Sequence, residues 1–206
     1  MNPILSQSTV SQFAPLQTIY APVWDALERV DQEYLRQIEG ERGMIQEIGR
    51  HLAEGRGKFL RPALVLLSAA HSGGADDALR VKLGVVVELI HVASLIHDDV
   101  MDHAALRRKQ VTLNSRWGDE ASVICGDILY SKAFKLLVDI GVPDVMQTVA
   151  RSTMVMCSGQ LAELERRQDL GLQREGYLDI IIQKTARLIS DCCRSGAQLA
   201  GAHPSV

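Results

Sequence analysis

The chain has 206 residues, 47% of them hydrophobic but only 4% aromatic, and a formal net charge of −3. That length allows one domain with a sizeable core, and a core poor in aromatics must be built from Leu, Ile, Val and Ala, which suits helices packed on helices. So small a charge gives no argument for a polybasic surface that binds nucleic acid or membrane, and no apolar run reaches the roughly 20 residues of a membrane span. Along the chain, Val23, Leu27, Val30, Tyr34 and Ile38 recur at three- or four-residue spacing and predict a first amphipathic helix. Met44, Ile45, Ile48 and Leu52 predict a second, broken by "EGRGK". Pro62 suits the first turn of a third, "RPALVLLSAA", which "SGG" ends. A fourth runs from about Ala75 to Asp102, and its middle, "LGVVVELIHVASLI", is apolar nearly all round, as in a helix surrounded by others. A basic loop, "ALRRKQ", follows. Then come "EASVICGDILYSKAFKLLVDIG", a helix starting near Pro143, and "GYLDIIIQKTARLISDCCRSGAQLAG". Strand-like alternation is almost absent, so the predicted fold is all-α, a bundle of long helices around a central helix.

Cys125, Cys157, Cys192 and Cys193 lack paired metal-ligand spacing, and adjacent cysteines rarely form a relaxed disulfide. They read as reduced thiols, hence a cytoplasmic protein. The N-terminal "MNPILSQSTVSQFAPL" has no basic region followed by an apolar stretch and does not read as a signal peptide.

The chemistry concentrates where the central helix ends, in Asp98, Asp99 and Asp102. Asp98 and Asp102 share a helix face, and carboxylates at a helix C-terminus meet an already negative dipole. Something positive is required there. All-oxygen ligands favour Mg²⁺, which usually shares its shell with substrate phosphates. Basic residues flank the cluster: Lys58 and Arg61 upstream, Arg107, Arg108 and Lys109 just beyond. His91 lies two turns before Asp98 on the same face. It reads either as a hydrogen-bonded core histidine or as part of this site. His97 and His103 carry no ligand spacing.

Together these residues resemble the trans-type isoprenyl diphosphate synthases. The resemblance runs from about Arg56 to Gly201 and centres on "SLIHDDVMDHAALRR", which is similar to the family's first aspartate-rich motif, DDxxD, followed by paired arginines. The order "GKFLRP", His91, DDxxD, Arg107–Arg108 and a late "KTA" is specific to that family. The resemblance implies condensation of isopentenyl diphosphate onto an allylic diphosphate, and an isoprenoid synthase fold. By matching position, Asp98 and Asp102 would hold Mg²⁺, with Asp99 supporting them. Arg107 would bind the allylic diphosphate, with Lys184 and Thr185 approaching it from a facing helix. Lys58, Arg61, His91 and Arg108 would bind isopentenyl diphosphate. Two departures stand out. Phe59 occupies a position where the family often has arginine. No second aspartate-rich motif follows "KTA", where Asp191 is the last carboxylate in the sequence. The chain therefore reads as residues 1–206 of a single prenyl synthase domain, its N-terminal two-thirds and C-terminally incomplete.

The resemblance also implies where product length is set. Ala93 and Ser94 precede Asp98, with Leu89 and Ile90 a turn deeper and Val86 and Val87 beyond them. None is aromatic, which favours a long product; close helix packing is the other reason for small residues there. "SGQLAELE" is family-like as well: Gln160, Glu163 and Glu165 read either as facing the site or, the preferred reading, as a solvated helix face. The family's usual homodimer makes "ASVICGDILYSKAF" an interface candidate, with Asp127 structural. Two other functions compete with an active synthase: a non-catalytic or partner-dependent subunit of a heteromeric synthase, and a terpene cyclase. The paired arginines and "GKFLRP" argue against the cyclase, which needs no isopentenyl diphosphate site.

Overall fold

The computed structural model describes residues 16–39 and 42–203. The reading of the N-terminal stretch as lacking a signal peptide concerns residues that, but for Leu16, lie outside these. A short helix α1 (Leu16–Tyr20) and a 3₁₀ turn lead into α2 (Trp24–Ile38). The five residues expected on the inner face of this segment, Val23 to Ile38, are all buried. α3 (Met44–Glu54) is amphipathic as expected, but Ile48 is its buried apolar residue, whereas Met44 and Ile45 are exposed. The "EGRGK" break is a loop. α4 (Leu60–His71) then starts with Pro62 in its first turn, where the missing N–H has no helical acceptor to lose.

α5 (Asp77–Met101) is the axis of the bundle. Asp76 caps it, accepting from the N–H groups of Ala78 and Leu79 at 2.9 and 3.0 Å, an arrangement worth about 1 kcal/mol. Leu83, Val85, Val86, Leu89, Ile90 and Ala93 are fully buried on every side of α5, because α2, α4, α7 and α10 all pack against it. At roughly 1.5–3 kcal/mol for each large aliphatic side chain removed from water, this helix anchors the core. The basic loop after it folds into a two-residue antiparallel hairpin, β1 (Leu106–Arg107) with β2 (Gln110–Val111). A short α6 (Leu113–Trp117) leads to α7 (Asp119–Ile140) and α8 (Pro143–Arg166), which opens at Pro143. The last predicted helix is interrupted: α9 (Arg174–Ile181) passes into a π-helical turn over Ile182–Ala186 and then α10 (Arg187–Leu199). A 3.6-residue periodicity carries no mark of such a turn.

The four cysteines are free thiols. Among the described residues, no helix is long and apolar enough to cross a membrane.

Candidate active site

Every carboxylate of the acidic turn meets a side-chain cation. Lys184 Nζ donates to Asp98 Oδ1 at 3.0 Å and to Glu163 Oε2 at 2.5 Å. Arg107 Nε donates to Asp99 Oδ1 at 2.8 Å, and its Nη2 lies 3.7 Å from Asp98 Oδ2. Arg167, just past α8, donates to Asp102 and to the carbonyl of Met101. These cations offset the mutual repulsion of three acids at the negative end of a helix. Burial raises Asp99 above the ordinary carboxylate range, against the pull of Arg107. Among the described residues, no three His, Cys, Asp or Glu side chains converge as a ready-made metal cage. The all-oxygen donor set still fits Mg²⁺, which takes one or two carboxylates and completes its shell with water and substrate phosphates.

Two local devices bring the cations there. The first is the hairpin. Its central residues, Arg108 and Lys109, have φ of 51° and 70°. Two-residue hairpins of the favoured twist require positive φ at both positions and normally fill them with Asn or Gly. Basic residues held in this conformation are strained, and such strain gathers at functional sites. The hairpin is pinned to α3: His51 Nε2 donates to the Val111 carbonyl at 2.8 Å, and Gln110 Nε2 donates to the His51 carbonyl at 2.8 Å. The second device is the π turn that carries Lys184 and Thr185, a geometry found mostly at functional sites. Gly159 of α8 lets it approach, since a Cβ there would stand 2.7 Å from Lys184 N and Gln183 Cβ.

Two adjoining cavities open beside the turn, and His91 and Leu95 line both. The smaller, about 90 Å³, is rimmed by Arg56, Glu88, Asp99, Arg107, Arg108 and Gln110. The larger, about 470 Å³, runs past Asp98, Lys184 and Thr185 along Ser94, Met101, Tyr130, Met156 and Leu161. Of the four residues expected at isopentenyl diphosphate, His91 and Arg108 border the smaller cavity. Arg61 reaches the larger one, and Lys58 is exposed and borders neither. Burial, reinforced by Arg61, Arg108 and Arg107, pushes His91 down to about 3, so its imidazole is neutral and offers a hydrogen bond rather than a charge.

Glu88, fully buried one turn before His91, is pushed up to about 7 by burial, with Arg61 and Arg108 opposing. Its folded-state pKa lies above the unfolded value near 4.5, so its contribution to stability is complete below that value and lost as pH rises to about 7. Glu88→Gln is therefore expected to unfold like the wild type at pH 4.5 and to gain relative to it by pH 8, by at most about 3 kcal/mol. Urea unfolding at the two pH values measures this difference.

The residues expected to set product length divide. Ser94 faces the larger cavity, with its hydroxyl donating to the His91 carbonyl at 2.7 Å. Ala93, Leu89 and Ile90 are fully buried in the bundle and line none of the cavities described. The wall is not free of aromatics either, because α7 contributes Tyr130, whose ring lies 5.8 Å from that of His97. A motif read along α5 could not reveal a side chain arriving from α7. The expected solvated face of α8 is corrected in the same way. Glu165 is exposed, but Glu163 holds Lys184 and Gln160 lines the cavity with its Nε2 buried and unpartnered. His97, given no role in the sequence, donates Nε2–H to the Val123 carbonyl at 3.0 Å, over buried Gly126. Asp127 is exposed, 3.6 Å from His97. Asp191, the last carboxylate, is buried in a pair with Arg187 at 2.6 Å. Arg56, Glu88 and Arg167 were not singled out from the sequence, though Glu88 was legible as the lone charge within an apolar run.

The family model for polyprenyl synthetase matches residues 42–206. A heptaprenyl diphosphate synthase component 2 from Geobacillus stearothermophilus is 35% identical over 91% of this chain and 58% of its own length. The octaprenyl diphosphate synthase of Escherichia coli is 32% identical, over 85% of this chain and 54% of its own. Among solved structures, a polyprenyl synthase from Caulobacter crescentus, complexed with calcium and isoprenyl diphosphate, superposes with a TM-score of 0.87 at 32% identity. That match covers 94% of this chain and 59% of the other, so this chain spans somewhat more than half the length of its relatives. With the helical bundle, the acidic turn and the arginine hairpin in the expected order, the chain belongs to the polyprenyl synthetase family.

Proposed function

We propose that this chain carries the condensing site of a polyprenyl diphosphate synthase, which joins isopentenyl diphosphate to an allylic diphosphate with Mg²⁺ and forms a long-chain product. The observation that carries this reading is the pair of cavities meeting at His91: one arginine-rich, the other apolar and ending at Asp98 and Lys184. Asp98 and Asp102 would hold Mg²⁺, which when bound would offset the negative charge of the diphosphate leaving group. Arg107 and Lys184 hold that group and stabilise the charge that grows on its oxygen as the allylic C–O bond breaks. His91 and Arg108 orient the second diphosphate, so that the isopentenyl double bond attacks the allylic cation as it forms. A proton is then lost, with the released diphosphate as base. Leu95, Met101, Met156 and Leu161 keep water from the cation. Ser94 leaves room for a growing chain next to the acidic turn, which supports the long product.

The protein is a homodimer in this reading. Val123, Ile124, Phe134 and Val138 are exposed on one side of α7, with Asp127 between them, beside an apolar cavity of about 380 Å³ bordered by Ile38, Met44, Ile45 and Ile128. A light-scattering mass of two chains is expected, and a monodisperse monomer would count against it. A second reading, a partner-dependent subunit of the same fold, draws support from the Geobacillus relative, which is one component of a heptaprenyl diphosphate synthase.

A turnover assay on the 206-residue chain separates the readings. It contains Mg²⁺, farnesyl diphosphate and labelled isopentenyl diphosphate, with products sized by chromatography. A long polyprenyl product supports the synthase. Mg²⁺-dependent diphosphate binding without turnover supports the partner-dependent subunit. Absence of binding rejects both.

A further inference from the structure

We propose that Arg56, anchored by Asp31, is an additional contact for the diphosphate of the isopentenyl substrate; this rests on the reading of the two cavities given above. Arg56 sits in the loop between α3 and α4 and lines the smaller cavity with His91, Arg107 and Arg108. Its side chain is only 17% exposed. Nη1 lies 3.2 and 3.4 Å from the two carboxylate oxygens of Asp31 on α2. Its Nε is buried without a hydrogen-bond partner. A guanidinium fixed on one edge, with a buried donor unmet on another, is arranged for an oxyanion that completes it.

The neighbours point the same way. Arg108 lies against the next backbone position, where a Cβ on Gly57 would stand 2.8 Å from Arg108 Nη1. Two guanidinium groups are thus gathered at adjacent residues of one loop. Asp31 answers Arg56, and Asp99 is taken by Arg107. Glu88 also borders the cavity, but Arg108 has no carboxylate paired with it among the described residues, which leaves a guanidinium for an anionic diphosphate. The neighbouring position 59 contributes no charge. Phe59 is buried and packs edge-on against Tyr34, with ring centroids 5.8 Å apart. Arg56 therefore adds a cation to this loop that the motif residues Lys58 and Arg61 do not account for.

The test is calorimetric titration of the full chain with isopentenyl diphosphate in excess EDTA, so that no metal-held site contributes. The wild type, Arg56→Gln, and the double variant Arg56→Gln/Asp31→Asn are compared, each with its thermal unfolding midpoint. The expected result is at least a tenfold weaker Kd for Arg56→Gln. The double variant is expected to recover the unfolding midpoint, because no buried carboxylate is left unpaired, while its affinity stays weak. Recovery of wild-type affinity in the double variant would overturn the proposal, since Arg56 would then serve only as counter-ion to Asp31. Unchanged affinity in Arg56→Gln would overturn it too, leaving the cavity reading intact. If the wild type itself does not bind, the cavity reading fails and takes the proposal with it.

Discussion

Asp98→Ala is expected to lower the Mg²⁺-dependent affinity for an allylic diphosphate by about 100-fold or more, with the fold intact. Losing a residue that merely supports a metal ligand costs about 10–100-fold in metal affinity, and a ligand stands at or beyond the upper end of that range. Asp98 is also where Lys184 and Arg107 converge, at 3.0 and 3.7 Å, so its loss loosens the two cations proposed to hold the leaving group. Lys184 keeps Glu163 as a partner, which spares the variant an uncompensated buried charge. Titration of farnesyl diphosphate with and without Mg²⁺ measures the effect. Equal affinities of wild type and variant in Mg²⁺ would remove Asp98 from the site.

Gly159→Ala is expected to act on both stability and binding. The added methyl would stand 2.7 Å from a backbone nitrogen of the π turn, and backbone cannot rotate away as a side chain can. Overpacking of this kind costs about 1–3 kcal/mol. The turn must move off α8, carrying Lys184 away from Asp98 and Thr185 away from the cavity wall. A fall in the urea midpoint, together with roughly tenfold weaker Mg²⁺-dependent binding of farnesyl diphosphate, is the expected pair of results. Lys184→Ala provides the comparison, since it should lose a similar amount of binding without the packing penalty. A Gly159→Ala protein with wild-type stability would show that α8 and the π turn are not in tight contact.

How much of this was legible in the sequence depended on whether the signal was local. The stripe of Val23, Leu27, Val30, Tyr34 and Ile38, which runs from the 3₁₀ turn along α2, is buried as its spacing required, because one amphipathic face has one place to go. α5 offered no such guide. It is apolar all round, so its pattern declared it central but could not say which neighbour each face would meet. Ala93 and Ser94 are adjacent and both small, yet only Ser94 reaches the cavity, while Ala93 is enclosed in the bundle. The turn after α5 looked like a basic loop, and a two-residue ladder is too short to carry an alternating pattern. Glu163 looked solvated for a related reason: Lys184 lies 21 residues away in the chain and comes to hand only after α9 and the π turn fold back onto α8.

Local patterns along the chain were enough to specify a helical bundle with a central apolar helix ending in three acids, followed by two arginines. Those features rest on periodicity, caps and charge within a few residues of one another. Which cation faces which acid depends on how the helices pack: Lys184 on Asp98, Arg107 on Asp99 and Arg167 on Asp102. The same packing brings Tyr130 of α7 and Arg56 of the loop before α4 to the walls of the two cavities. Charges attract whichever partner packing brings within reach, and that reach is set by how α7, α8 and α10 settle around α5.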